Sequence, residues 1–388
     1  MQPSSPPSPF RHLGQAPHDQ SADFVELFFD LVFVFAITEV THSVSHHLDF
    51  RGVLGPIVVF WMIWWAWTQL TWTLNSADTS TQEIRLGTLA TTAVAFAMAT
   101  SVGRAFTAES MWFALPYVLV KLLGLGLFLR VSWVDVEERK AVIRYALASQ
   151  LGLWAVLAGA MVDPGEHLRW WGTAIALDLL AAVIGIRAKG WNIRVAHFVE
   201  RHALIVIIAL GESLIVAGSA VAKDEWTPAL LVLGGLSVLV TCLLWWTYFG
   251  WTRESMEEQL LLRSSEELAL VLQHTYSFGH FPVVCGVIAF AAGLLQILRE
   301  PSAPIAVAAV WALAAGMALF VGSTALGVLR VCRLFLWPRM IILCVGTGAL
   351  FLTIGALPWV SLAVEAGTLA AVVIAEAIIR PREYMSRS

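Results

Sequence analysis

Phe24-Val25-Glu26-Leu27-Phe28-Phe29-Asp30-Leu31-Val32-Phe33-Val34-Phe35-Ala36-Ile37-Thr38-Glu39-Val40-Thr41-His42-Ser43-Val44-Ser45-His46-His47 is long and apolar enough to cross a bilayer as one helix, yet it is loaded with ionisable groups. At about 100° of rotation per residue, Glu26 and Asp30 share one face of that helix, while Glu39, His42 and His46 share nearly the opposite one. Lipid covers neither face, because ionisable side chains in hydrocarbon are costly and turn toward a protein interior or a water-filled cavity. The stretch therefore reads as the central helix of a polytopic membrane protein, surrounded by others.

The remaining chain agrees. Its 388 residues are 58% hydrophobic and 13% charged, against roughly 25% charged in a soluble chain. Apolar runs of about 20 residues recur over nearly the whole length and leave no separate soluble domain. The net charge of −4 offers no argument for a nucleic-acid partner. The expected partners are membrane lipids and a small-molecule or ion substrate, without nucleic acid, and the sequence does not speak to oligomeric state. Cys242, Cys285, Cys332 and Cys344 are widely spaced in apolar segments. That pattern reads as small buried hydrophobes, not as a disulfide framework or Cys-x-x-Cys metal chemistry. Residues 1–23 are rich in Pro, Ser, Gln and His and lack the charged start and apolar middle of a signal peptide. They read as a short disordered tail with His12 and His18 solvated.

Apolar runs and their polar breaks place twelve spans at 24–47, 53–74, 85–106, 111–132, 140–162, 168–188, 198–220, 228–252, 268–298, 303–329, 333–356 and 357–379. The ninth is too long for a single straight crossing, and only Leu357-Pro358-Trp359 separates the last two. On the side holding the N-terminus, the loops and helix ends carry seventeen Lys and Arg, from Arg11 to Arg387; the other side carries five, Arg51, Arg104, Arg169, Lys223 and Arg299. This bias predicts cytoplasmic termini in an inner membrane and an even span count.

One internal repeat stands out. Phe24-Val25-Glu26 opens the first span and Phe198-Val199-Glu200 the seventh, and each run ends near a second acid, Glu39 or Glu212. The following helix of each half has an aromatic cluster, Trp64-Trp65-Ala66-Trp67 and Trp245-Trp246-Thr247-Tyr248. An offset of six helices preserves orientation, so the expected fold is all-α: about twelve transmembrane helices in two six-helix parallel repeats, 24–188 and 198–379, joined around 189–197 and followed by a short cytoplasmic tail at 380–388.

The same residues resemble the bacterial low temperature requirement A family. The resemblance is carried by Val25-Glu26-Leu27-Phe28-Phe29-Asp30-Leu31-Val32-Phe33-Val34-Phe35 with Glu39 and His42, and by Glu200-Arg201-His202 with Leu210-Gly211-Glu212-Ser213. Asn75, Asp78, Arg85, His274-Thr275-Tyr276 and His280-Phe281-Pro282 fit less specifically. It covers almost all of the chain beyond the tail. It implies a multi-pass bacterial inner-membrane protein and leaves the mechanism to the residues.

Glu39, His42 and His46 stand three and four residues apart on one face, a spacing that converges several polar groups from one helix. It suits a proton relay, since histidine titrates near neutrality, or a polar substrate site that Glu212, His274 and His280 would complete. A metal with only N and O ligands is a further use, and histidines lying at the outer interface are the plain alternative. Lys121 and Asp178 fall near the middle of the fourth and sixth spans. A lone charge there costs at least roughly 2.5–3.5 kcal/mol, so the two are expected to pair. Glu26 and Asp30, with Glu200 and Arg201, lie near the cytoplasmic ends of the first and seventh helices. They read as a salt-bridge cluster, with Arg85 or Arg194 as further partners, that either gates or pins the structure. Glu365 is deep in the last span without an obvious partner, and Glu376 lies near its end.

The leading functional expectation is a proton-linked secondary transporter of a small solute, with a polar site between two six-helix halves. No phosphate-cradling Gly-x4-Gly-Lys-Ser/Thr loop is present, so ATP drive would need another subunit. The alternatives are an intramembrane enzyme acting on a lipid or lipid-linked substrate and a membrane scaffold or sensor. The enzyme is weakened by the absence of Gly-x-Ser-x-Gly and His-Glu-x-x-His.

Overall fold

A computed structural model describes residues 21–46, 48–186, 191–223 and 226–385, of which 50, 223, 265, 266 and 379–385 are described by backbone only. Most of the expected tail, with His12 and His18, lies outside the described residues, as does His47. Fourteen α-helices and no strand occur among the described residues: α1 Phe24–His46, α2 Phe50–Ser76, α3 Gln82–Thr100, α4 Met111–Val131, α5 Val136–Gly159, α6 His167–Ile186, α7 Val195–Lys223, α8 Pro228–Phe249, α9 Thr252–Leu261, α10 Ser265–Leu272, α11 His280–Arg299, α12 Val307–Cys332, α13 Trp337–Phe351 and α14 Pro358–Met385. Every expected span has its helix. The ninth is two, α10 and α11, separated by a π-helical turn at Gln273–Phe278. Residues 380–385, expected as tail, continue α14. The helix α9 is an addition, polar and carrying an Arg253–Glu257 pair one turn apart at 3.0 Å. Among the described residues nine helical runs are long and apolar enough to cross a membrane; α1 and α3 are not among them, and α13 is a shorter apolar helix.

Local chemistry sets the helix ends. Asp135 caps α5, its Oδ1 accepting from the amides of Glu137 at 2.8 Å and Glu138 at 3.0 Å, and both acids complement the positive end of the helix dipole. Thr227 caps α8 through Leu230 N at 3.2 Å, and Pro228 follows where a missing N–H costs nothing. Arg333, at φ 54°, ends α12 in the left-handed conformation.

The chain forms two compact units, whose boundaries fall inside α1, α2, α7 and α10. The first holds the residues up to Ala36, Val58–Arg201 and Ser264–Leu270. Within it α3 packs on α4, α4 on α5 and α5 on α6. On α5, Leu147, Leu151 and Trp154 form an exposed apolar stripe, whereas Val142, Tyr145, Ser149 and Val156 are buried. Apolar groups on both faces and polar ones held inside are what a hydrocarbon solvent selects.

The second unit holds Ile37–Ile57, His202–Arg263 and Val271 onward. Here α11 packs on α12, α12 on α13, α13 on α14, and α14 on α8. Closest approach is at Gly286 and Gly316. A Cβ on Gly286 would lie 2.7 Å from Phe320 N and 2.8 Å from Gly316 O, and one on Gly316 would lie 2.9 Å from Phe290 N. Only glycine lets these backbones touch. The four cysteines, all among the described residues, form no disulfide, with Cys242 and Cys344 exposed where burial was expected.

Candidate functional sites

In the first unit two pairs of residues, each one turn apart, face each other: Glu26 and Asp30 on α1, His197 and Arg201 on α7. Arg201 spans both acids, pairing through Nη1 with Glu26 and through Nη2 with Asp30 Oδ1 at 2.6 Å. Trp67 Nε1 donates to the same Asp30 oxygen at 2.8 Å, and His197 Nε2 lies 3.1 Å from Glu26 Oε1. All five side chains are buried. Asn75 settles the imidazole. Its Oδ1 accepts from Arg194 N at 2.9 Å, so its Nδ2 is the group 3.3 Å from His197 Nδ1. Nδ1 must then accept, and Nε2 donates to Glu26.

The remaining members of that expected cluster go elsewhere. Glu200 points off this face and accepts from Ala22 N at 3.1 Å. Arg85 pairs with Asp23 at 3.1 Å. Arg194, just outside the spanning part of α7, donates to the carbonyls of Asn75, Leu74 and Ala77 at the end of α2. Burial lowers its guanidinium below the usual value, while Glu26 and Asp78 act to raise it. His197 and Trp67 were not picked out as site residues from the sequence. The i, i+4 spacing of His197 and Arg201 was the available signal.

Lys121 and Asp178 also meet in the first unit. Lys121 Nζ is 3.8 Å from Asp178 Oδ2, and Tyr117 donates to that oxygen at 3.1 Å. Lys121 Nζ reaches Tyr145 OH at 3.4 Å, and Gln69 Nε2 donates to Lys121 O at 2.8 Å. Both charges are buried, and Asp178 Oδ1 has no hydrogen-bond partner. The pair is a loose contact inside a ring of tyrosines.

In the second unit, Thr38 donates to Glu212 Oε2 at 2.5 Å. Glu212 lies within electrostatic reach of His42 and Glu39, and its Oε1 has no hydrogen-bond partner. Exposure falls along this group: His46 and His42 are exposed, Glu39 is intermediate, Glu212 is 1% exposed. The two other histidines expected at this site have different surroundings. His274 is exposed on the π-helical turn. His280 is buried, with Tyr248 OH 2.8 Å from Nε2, Thr275 O 3.0 Å from Nδ1, the Tyr276 ring stacked at 4.6 Å and the His202 ring at 5.3 Å. A carbonyl only accepts, so Nδ1 carries a proton. A further buried ion pair joins Arg339 to Glu376 at 2.5 Å, with Trp251 donating to Glu376 at 2.8 Å and Arg339 donating to Thr247 O at 2.8 Å. Among the described residues no group of three His, Cys, Asp or Glu side chains is arranged to hold a metal ion.

Long apolar helices with lipid-compatible outer faces, and ionisable groups locked among them, define a multi-pass helical membrane protein. The chain belongs to the family described as bacterial low temperature requirement A protein, which matches residues 21–377. It is also 27% identical over 293 residues to an uncharacterized protein of Rhizobium meliloti (strain 1021), covering 72% of this chain and 70% of that one. No solved structure matches it.

Proposed function

We propose that the protein is a proton-linked secondary transporter of a small solute, set in the bacterial inner membrane with both termini cytoplasmic, whose two six-helix parts work as parallel repeats. The observation that carries this reading is the gradient of exposure from His46 and His42 through Glu39 to the buried, half-satisfied carboxyl of Glu212. Ionisable groups thus lead from the surface of the second unit to an acid in its interior. The matching order of helix packing within each unit, α3 to α6 and α11 to α14, supports the repeat. The Glu26–Asp30–Arg201 cluster, fully buried and tightly bonded, serves as a fixed link within the first unit.

The test is reconstitution in liposomes with an internal pH-sensitive dye and a panel of solutes. One solute gradient is expected to drive proton movement through the parent protein. Glu39→Gln and Glu212→Gln should each abolish that proton movement while leaving the protein folded. Coupling that persists in both variants would remove these residues from the mechanism.

A further inference from the structure

Glu365 lies in α14, in the second unit, and is 0% exposed. Among the described residues, neither Oε1 nor Oε2 has a hydrogen-bond partner. Other buried acids differ. Glu26 and Asp30 share Arg201, Asp178 has Lys121 and Tyr117, and Glu212 has Thr38. Glu365 alone in this comparison has neither a cation nor a donor.

Its surroundings are nevertheless polar along one line. At about 100° per residue, Ser361, Glu365, Thr368 and Glu376 fall on one stripe of α14. Ser361 Oγ lies 2.7 Å from Thr353 Oγ1, Thr368 packs against Gly346 of α13, and Glu376 pairs with Arg339. The titratable groups on the neighbouring helices are placed elsewhere. On α8, Cys242 is exposed and Tyr248 bonds His280; on α12, Arg330 is exposed and Cys332 donates to Ser255 O; on α13, Cys344 is exposed and Arg339 is taken by Glu376. Among the described residues, no ion pair reaches Glu365.

We propose that Glu365 is a proton-binding site, occupied in the folded protein and set one turn from Ser361 on a polar stripe of α14 that runs from Ser361 to the Glu376–Arg339 pair. The physical reason is the cost of the alternative. A carboxylate in this environment would be an isolated buried charge with no compensating cation or hydrogen bond. The neutral acid avoids the charge and leaves only the much smaller cost of a buried polar group without a hydrogen bond. The site is distinct from Glu39 and Glu212 and does not depend on transport.

Infrared difference spectroscopy of the purified full-length protein tests this directly, comparing the parent with Glu365→Gln. A protonated carboxylic acid has a carbonyl stretch separate from the carboxylate bands. The expected result is one such band, present at neutral and mildly alkaline pH and lost in the variant. Because glutamine resembles the neutral acid in shape, the variant should also keep the parent's thermal midpoint. Loss of carboxylate intensity instead, or no change in the acid region, overturns the proposal. Should Glu365→Gln fail to fold, Glu365→Met is compared in its place, with loss of the acid band supporting the proposal and an unchanged acid region overturning it.

Discussion

Arg201 shows what a single buried charge does in this chain. Its two arms hold Glu26 and Asp30, and all three are removed from solvent. Removing one member of such a set leaves uncompensated charge in a low-dielectric interior, at a cost of about 3–5 kcal/mol. Arg201→Met should therefore lower thermal stability in detergent sharply, and adding Glu26→Gln with Asp30→Asn should recover much of the loss. Recovery would show that stranded charge, not lost packing, is the cause. The meeting of Glu26, Asp30 and Arg201 was legible in the sequence, because acids in an apolar helix need a cation and few are available. Glu200 was not separable from Arg201 there, although one residue of helical rotation turns it to Ala22 N. Trp67 was invisible as a partner and His197 was marked only by its spacing from Arg201, since an indole or imidazole in an apolar run looks like packing until its neighbour is known.

Helices obey the same logic through spacing. The ninth span read as too long for one crossing, and the reason is the π-helical turn at Gln273–Phe278. An extra residue per turn breaks the 3.6-residue phase. His274 is exposed and His280 is buried against Tyr248 and Tyr276, on either side of that turn. Contact between α11 and α12 was equally hidden, because Gly286 and Gly316 are two glycines among many. Overpacking this crossing should cost about 1–3 kcal/mol, so Gly286→Ala and Gly316→Ala are expected to lower the midpoint of thermal unfolding. Gly348→Ala on α13, where a Cβ meets nothing within 4 Å, is the control and should be neutral or slightly stabilising. Equal loss in all three would mean that close approach is not what these glycines provide.

For the whole molecule, the decisive quantity is the number of crossings. Thirteen helices stand at the twelve places where the sequence puts spans, two of them at the ninth, but only nine runs among the described residues are long and apolar enough by themselves. An odd number puts the termini on opposite sides and an even number puts them together. At 1.5 Å per residue, α1 is about 35 Å long and α3 about 28 Å, close to the roughly 30 Å of a bilayer core, while α13 is about 22 Å. A buried partner makes two of the acids of α1 tolerable at depth: Glu26 and Asp30 are both paired with Arg201. The short α13 is supported by packing on both α12 and α14. The distribution of seventeen Lys and Arg against five also argues for twelve, since dropping one helix would exchange the sides of every later loop. Reporter fusions decide it. A fluorescent protein that matures only in the cytoplasm should be bright at both termini, and a reporter active only outside should be active when inserted at Leu48, between α1 and α2. A bright N-terminal fusion with a dark but expressed C-terminal one would mean an odd number of crossings, and would remove the parallel six-helix repeat along with it.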